Sequence, residues 1–177
     1  MKIPDLLRVP VVFGVAAGGL CFAFFVALHL LGIVPVETKR FLDFGFYIIM
    51  MAGCCWYYRK KIGNGYLHLW QGISIGYLIV IVGSLLTGFL VYVFYSFNDG
   101  AFALYLDATR DLLLSQKTEY AKRLGEVEFQ RDVLSVARIK PSGLIFNELK
   151  NKFFLAIIPI LVISLLFRKQ DYGVFKQ

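Results

Sequence analysis

The chain has 177 residues, a hydrophobic fraction of 58% and a formal charge of +7. An ordinary soluble domain is about 45–50% apolar, and a chain this short has no interior that would hide the surplus, so a water-soluble globule is excluded in favour of a protein that uses lipid as its solvent. The basic residues gather at the ends of apolar runs, not in a groove interleaved with aromatics, so they point to headgroups and orientation and not to nucleic acid.

The first apolar run is Val11 to Val34, fenced by Pro10 and Pro35. As a helix it is about 36 Å long, enough for a hydrocarbon core of about 30 Å. A cleaved signal peptide would have a shorter core, about 7–15 residues, followed by small residues. Here Ile33, Val34 and Pro35 follow, so the run is expected to stay as an anchor. After a short connection, Val36 to Phe41, the second run covers residues 42–58, close to the shortest stretch that crosses. It ends in Trp56, Tyr57 and Tyr58 and then Arg59, Lys60 and Lys61, an aromatic belt followed by a basic cluster.

Ile62-Gly63-Asn64-Gly65 reads as a turn, since glycine accepts positive φ. Tyr66, His68 and Trp70 form a second interfacial group at the entry of the third run, 69–94, which closes on Tyr92, Tyr95 and Phe97. Residues 98–140 differ in kind. Charges of both signs alternate, and Ala101, Leu104, Tyr105, Ala108 and Leu112 recur at the spacing of an amphipathic helix. Asn98 is expected to cap this arm and Pro141 to end it, the arm being either one long surface helix or two shorter ones broken at Gly125. Ser142 is expected to cap a last helix over 144–167. Its apolar part, Phe153 to Phe167, is short, so Lys150 and Lys152 are expected to reach for the interface. Pro159 removes the donor for the Leu155 carbonyl and predicts a kink.

The fold class is therefore all-α: one polytopic membrane domain over residues 1–177, a four-helix bundle with spans near 11–34, 42–58, 69–94 and 144–167 and an extramembrane helical arm over 98–140. Four spans put both termini on one side. Lys2, Arg8, Arg59 to Lys61, Arg168, Lys169 and Lys176 share it against Asp5 and Asp171, with Lys39 and Arg40 opposite. A cytoplasmic location for both termini follows from the basic bias.

Two small-residue stripes stand out, Gly14 with Gly18 and Gly72 with Gly76, the second continuing through Gly83. Glycines four apart let another helix backbone approach closely. They serve either packing within the bundle, the reading preferred, or a seam with a second copy or a partner. His29 is the titratable side chain well inside an apolar run, a proton or ligand contact by default. With no carboxylate expected at its depth, Asp43 being near a span end, a structural role is preferred. Cys21, Cys54 and Cys55 lie within apolar runs and are expected to be buried thiols, since neighbours on a helix diverge by about 100°. No catalytic, cofactor-binding or metal-ligating residue is singled out, and the first three spans are expected to bury no carboxylate.

From Tyr57-Tyr58-Arg59-Lys60-Lys61 through Gly65-Tyr66-Leu67-His68-Leu69-Trp70-Gln71-Gly72-Ile73-Ser74-Ile75-Gly76, the charged insert and the closing Leu166-Phe167-Arg168-Lys169, the chain resembles a bacterial family of small four-span proteins, domain of unknown function family forty-one ninety-nine. The resemblance implies a multi-pass protein of the bacterial inner (cytoplasmic) membrane with no assigned chemistry and no catalytic residues to carry over. Three functions are open: a non-enzymatic accessory or scaffold subunit whose partners are the lipid bilayer and a second copy or another membrane protein, a small transporter or channel subunit, and an enzyme on a lipid-linked substrate using interfacial groups such as Asp43 or Glu148.

Overall fold

The apolar runs coil because away from water a helix satisfies its own backbone polar groups, and the charged insert coils on its amphipathic 3.6-residue period. The structure is a computed structural model describing residues 3–36 and 41–169. Its helices are α1 (Ile3–Leu30), α2 (Phe44–Lys61) behind a 3-10 turn at Phe41–Asp43, α3 (Leu69–Ser96), α4 (Asp99–Ser115), α5 (Lys117–Leu124), α6 (Glu126–Val136), α7 (Gly143–Leu155) and α8 (Ile157–Phe167). Among the described residues two helices, α1 and α3, are long and apolar enough to cross a membrane, and α7 with α8 makes a third if the bent pair is one span. α2 falls short of that standard because Arg59, Lys60 and Lys61 occupy its last turn.

Several boundaries differ from the sequence reading. α1 runs through Pro10 and starts at Ile3; Leu6, Val9 and Phe13 pack on the core and offset the one backbone bond that a proline removes. It ends at Leu30 and not at Val34. Gly32 adopts φ +72°, its N–H donates to the His29 carbonyl and the Ile33 N–H to that of Leu28, the Schellman pattern that closes a helix. The connection into α2 includes residues 37–40, so Lys39 and Arg40 lie outside the described residues, as do Lys2, Asp171 and Lys176.

The turn after α2 forms as expected, with Asn64 at φ 50° and Gly65 at φ 90°. The entry of α3 is fixed by the His68 backbone N–H donating to Gln71 Oε1 at 3.0 Å, half of a capping box. Leu67 and Lys169 exchange two backbone hydrogen bonds, 3.0 and 3.1 Å, so the start of α3 and the end of α8 sit together.

The arm is three helices and not one or two. Asn98 Oδ1 accepts from the Ala101 N–H at 3.1 Å, the expected cap, and Gly125 separates α5 from α6 with φ +90°. A further break at Gln116 had no marker residue. Lys117 pairs with Glu126 at 2.8 Å across the α5–α6 turn. Tyr120 donates to Asp132 at 3.2 Å; partial burial first, and then the Asp132 charge, raise its phenol above the ordinary tyrosine value. The arm's foot is packed on the bundle: Ala101 and Tyr105 are buried against Tyr95, Val91 and Phe25, with Tyr95 and Tyr105 ring centroids 5.4 Å apart. Ser142 has helical backbone angles and its side chain makes no capping bond, contrary to expectation.

α7 and α8 meet at Ala156 with a bend of 47°, three residues before Pro159. The break falls where the proline leaves the Leu155 carbonyl without its helical donor, as the sequence implies. Pro159→Ala is expected to straighten this pair. Spin labels at the exposed Phe146 and Leu166 positions should then move apart by about 2–3 Å, what removing a 47° bend midway between them produces at 1.5 Å rise per residue; an unchanged distance would place the cause of the bend elsewhere.

Candidate functional site

The small-residue stripes create the close approaches around which the interior is built. A Cβ added at Gly14 would stand 2.9 Å from Val82 Cβ, and one at Gly18 would stand 2.7 Å from the Gly83 carbonyl, so α1 lies backbone to backbone on α3. At Gly72 it would meet Ser164 at 2.8 Å and at Gly76 Ile160 at 2.8 Å, both on α8, while Gly83 faces Tyr47 and the Gly14 carbonyl. All five candidate interface glycines are thus filled by helices of the same chain. Thr87 reinforces the α1–α3 seam, its hydroxyl 3.1 Å from the Gly18 carbonyl and 2.9 Å from that of Gly83.

Where these helices converge there is a cluster of charge. Lys152 Nζ lies 2.9 Å from Asp43 Oδ2 and 2.8 Å from Glu148 Oε1. Asp43 is 1% exposed and Lys152 7%. The ammonium also sits 4.7 Å from the Tyr47 ring centroid, near enough for the ring's negative face to contribute. Local spacing explains the convergence. Glu148 and Lys152 are four apart on α7 and share its inner face, and Asp43 and Tyr47 are four apart at the start of α2 and face them.

The depth of the cluster overturns two expectations. The Cys21 thiol is 3.5 Å from the Asp43 carbonyl, which places Asp43 about two-thirds of the way along α1, about 13 Å from the Leu30 end at 1.5 Å per residue. The second apolar run therefore does bury a carboxylate, because its first residues descend into the bundle before α2 begins. Lys152 does not reach for the interface either. Its two carboxylate partners hold it inside, where each charge-assisted bond is stronger than in water. Lys150, two positions earlier, is exposed as expected.

His29 lies apart from this cluster. It is half-buried, its ring 5.0 Å from that of Phe94 in an edge-on arrangement, and with Tyr95, Ala101 and Leu104 it lines a cavity of about 80 Å³ at the foot of the arm. Cys21, Cys54 and Cys55 are buried and free.

The arrangement ties α2 to α7 through charge and both to α1 and α3 through glycine seams. Sequence reasoning missed it although two signals were present: opposite charges four apart on one face of an apolar helix, and a lone aspartate at the mouth of another. Each was assigned to an interface because hydropathy alone sees only the nearest end of a run.

No curated protein and no solved structure matches the chain. Residues 12–169, from the first turns of α1 to the backbone bridge after α8, match the family described as Protein of unknown function (DUF4199). The family's reach takes in Asp43, Glu148 and Lys152 together with both glycine stripes, and the chain belongs to it.

Proposed function

We propose that the chain crosses the bacterial cytoplasmic membrane four times, with both termini in the cytoplasm, and serves as a non-enzymatic accessory subunit of a membrane complex. α2 supplies the fourth crossing on this reading: its apolar stretch packs on α1 and α3, and Trp56, Tyr57 and the basic turn end it as a membrane interface would. The Leu67–Lys169 bridge supports the orientation by gathering Arg59 to Lys61, Arg168 and Lys169 at one end.

The observation that carries the accessory role is the arm. It is anchored at both ends to spans, seated on buried aromatics, and free along the outer face of α4, where Leu104 and Leu114 stand exposed beside Asp107 and Asp111. The apolar exterior, with Ile158 and Leu166 each 73% exposed, suits lipid contact. In mild detergent the native chain is expected to purify with a stoichiometric membrane protein or as a homo-oligomer. The Asp107→Lys/Asp111→Lys variant should lose that companion at least tenfold while keeping its helicity and melting point, since both side chains are exposed. A native chain that runs as a lone monomer would count decisively against the proposal.

A second reading, a transporter or channel subunit, is favoured by the charged cluster inside the bundle, since intramembrane ionisable groups mark transport paths. Asp43→Asn, not His29→Phe, is then the informative change: solute or proton flux in vesicles should fall with Asp43→Asn if the cluster lies on a path and stay unchanged if it is a structural joint.

A further inference from the structure

On α6, Phe129 and Val136 face inward and are buried. Two positions away along the helix, Val127 and Leu134 are 80% and 68% exposed. Arg131 lies between them, so that Val127, Arg131 and Leu134 fall at i, i+4 and i+7, a stripe on the outer side of the helix, and Arg138 follows in the turn just after its end. With Gln130 and Ser135 they line an open groove of about 340 Å³. Arg131 meets Glu128 at 3.6 Å, but both side chains are largely exposed, so that pair is weak and exchanges readily.

We propose that this face of α6 lies on the bilayer surface and binds the phosphates of anionic phospholipid headgroups. Guanidinium groups present paired donors that match phosphate oxygens. Apolar side chains flanking them insert at the headgroup–acyl boundary, the combination that holds an interfacial helix. The arm is tethered to spans at both ends, after Ser96 and before Gly143, so the bilayer is the anionic surface within its reach. The stripe alternates apolar and cationic residues along its length, which suits a surface that offers phosphate and hydrocarbon side by side. Seating α6 in this way leaves the outer face of α4 for a protein. The inference rests on the membrane-spanning reading but not on the accessory role.

The test uses the full chain in bilayers of pure phosphatidylcholine and of phosphatidylglycerol mixed with phosphatidylcholine. Spin labels are placed singly at Val127→Cys, Leu134→Cys and Ile158→Cys, the native thiols being buried. Collision with lipid-soluble oxygen is compared with collision with a water-soluble nickel chelate. Labels at 127 and 134 are expected to shift at least threefold toward oxygen in the phosphatidylglycerol bilayer, and to lose the shift in the Arg131→Gln/Arg138→Gln variant or at high salt. The label at 158 should favour oxygen throughout. Labels at 127 and 134 that stay water-exposed in both bilayers, with 158 in lipid, overturn the proposal and leave the face to a protein partner. Oxygen-rich labels that ignore both lipid charge and the arginine changes overturn the phosphate assignment. A water-exposed label at 158 would instead refute the membrane-spanning reading itself.

Discussion

Lys152→Met is expected to destabilise the bundle by about 3–5 kcal/mol, the usual result of removing one partner from a buried ion pair. The substitution keeps an unbranched apolar stem of similar length but takes away the ammonium that Asp43 and Glu148 share at 2.9 and 2.8 Å. Two carboxylates then remain in the interior close to each other, and desolvation and mutual repulsion act in the same direction. Unfolding in detergent, followed by helicity or by a trapped-unfolded assay, measures the loss. The companion variant, Asp43→Asn/Glu148→Gln/Lys152→Met, removes the charges together and should recover most of it, because neutral groups of the same shape pack without that desolvation cost. A Lys152→Met protein within about 0.5 kcal/mol of the parent would show that the cluster does not hold the helices together, since surface changes give effects of that size.

The second large effect is steric. Gly18→Val is expected to cost about 3 kcal/mol or more, at the upper end of overpacking, whereas Gly19→Val, one residue along the same helix, should cost about 0.5 kcal/mol or less. At Gly18 the first added carbon falls 2.7 Å from a backbone oxygen and 3.2 Å from the Gly83 Cα, so backbone and not a flexible side chain must move. At Gly19 nothing stands within 4 Å. Thermal stability of the two variants in one detergent decides the matter. Equal losses would mean that the α1–α3 seam is looser than its geometry indicates.

How far the sequence carried depends on which force set each feature. The all-α class, the third apolar run, the Asn98 cap, the Gly125 break and the Pro159 kink were legible because each rests on local chemistry: hydropathy over a window, a side-chain acceptor at a helix start, or a missing N–H. The extent of α1 was less so. Its continuation through Pro10 depends on Leu6 and Val9 finding a core, and its early end depends on Gly32 outcompeting the apolar residues that follow. The charged cluster was least legible. Asp43 and Lys152 lie far apart in sequence, each close to one end of its apolar run, and only the ion pair between them, buried on both sides, shows that those ends lie inside the bundle. The glycine stripes were found, but their spacing does not say whether the helix that fills them comes from the same chain.

The separation of Asp43 from Lys152 also bears on how the protein is made. On the four-span reading the ribosome delivers the aspartate roughly a hundred residues before the lysine that neutralises it, an interval of about 5–20 s at ordinary elongation rates. Through that interval the turn leading into α2 carries a charge whose counterpart has not been synthesised. On that reading the settled insertion of the second crossing is expected to await the last one.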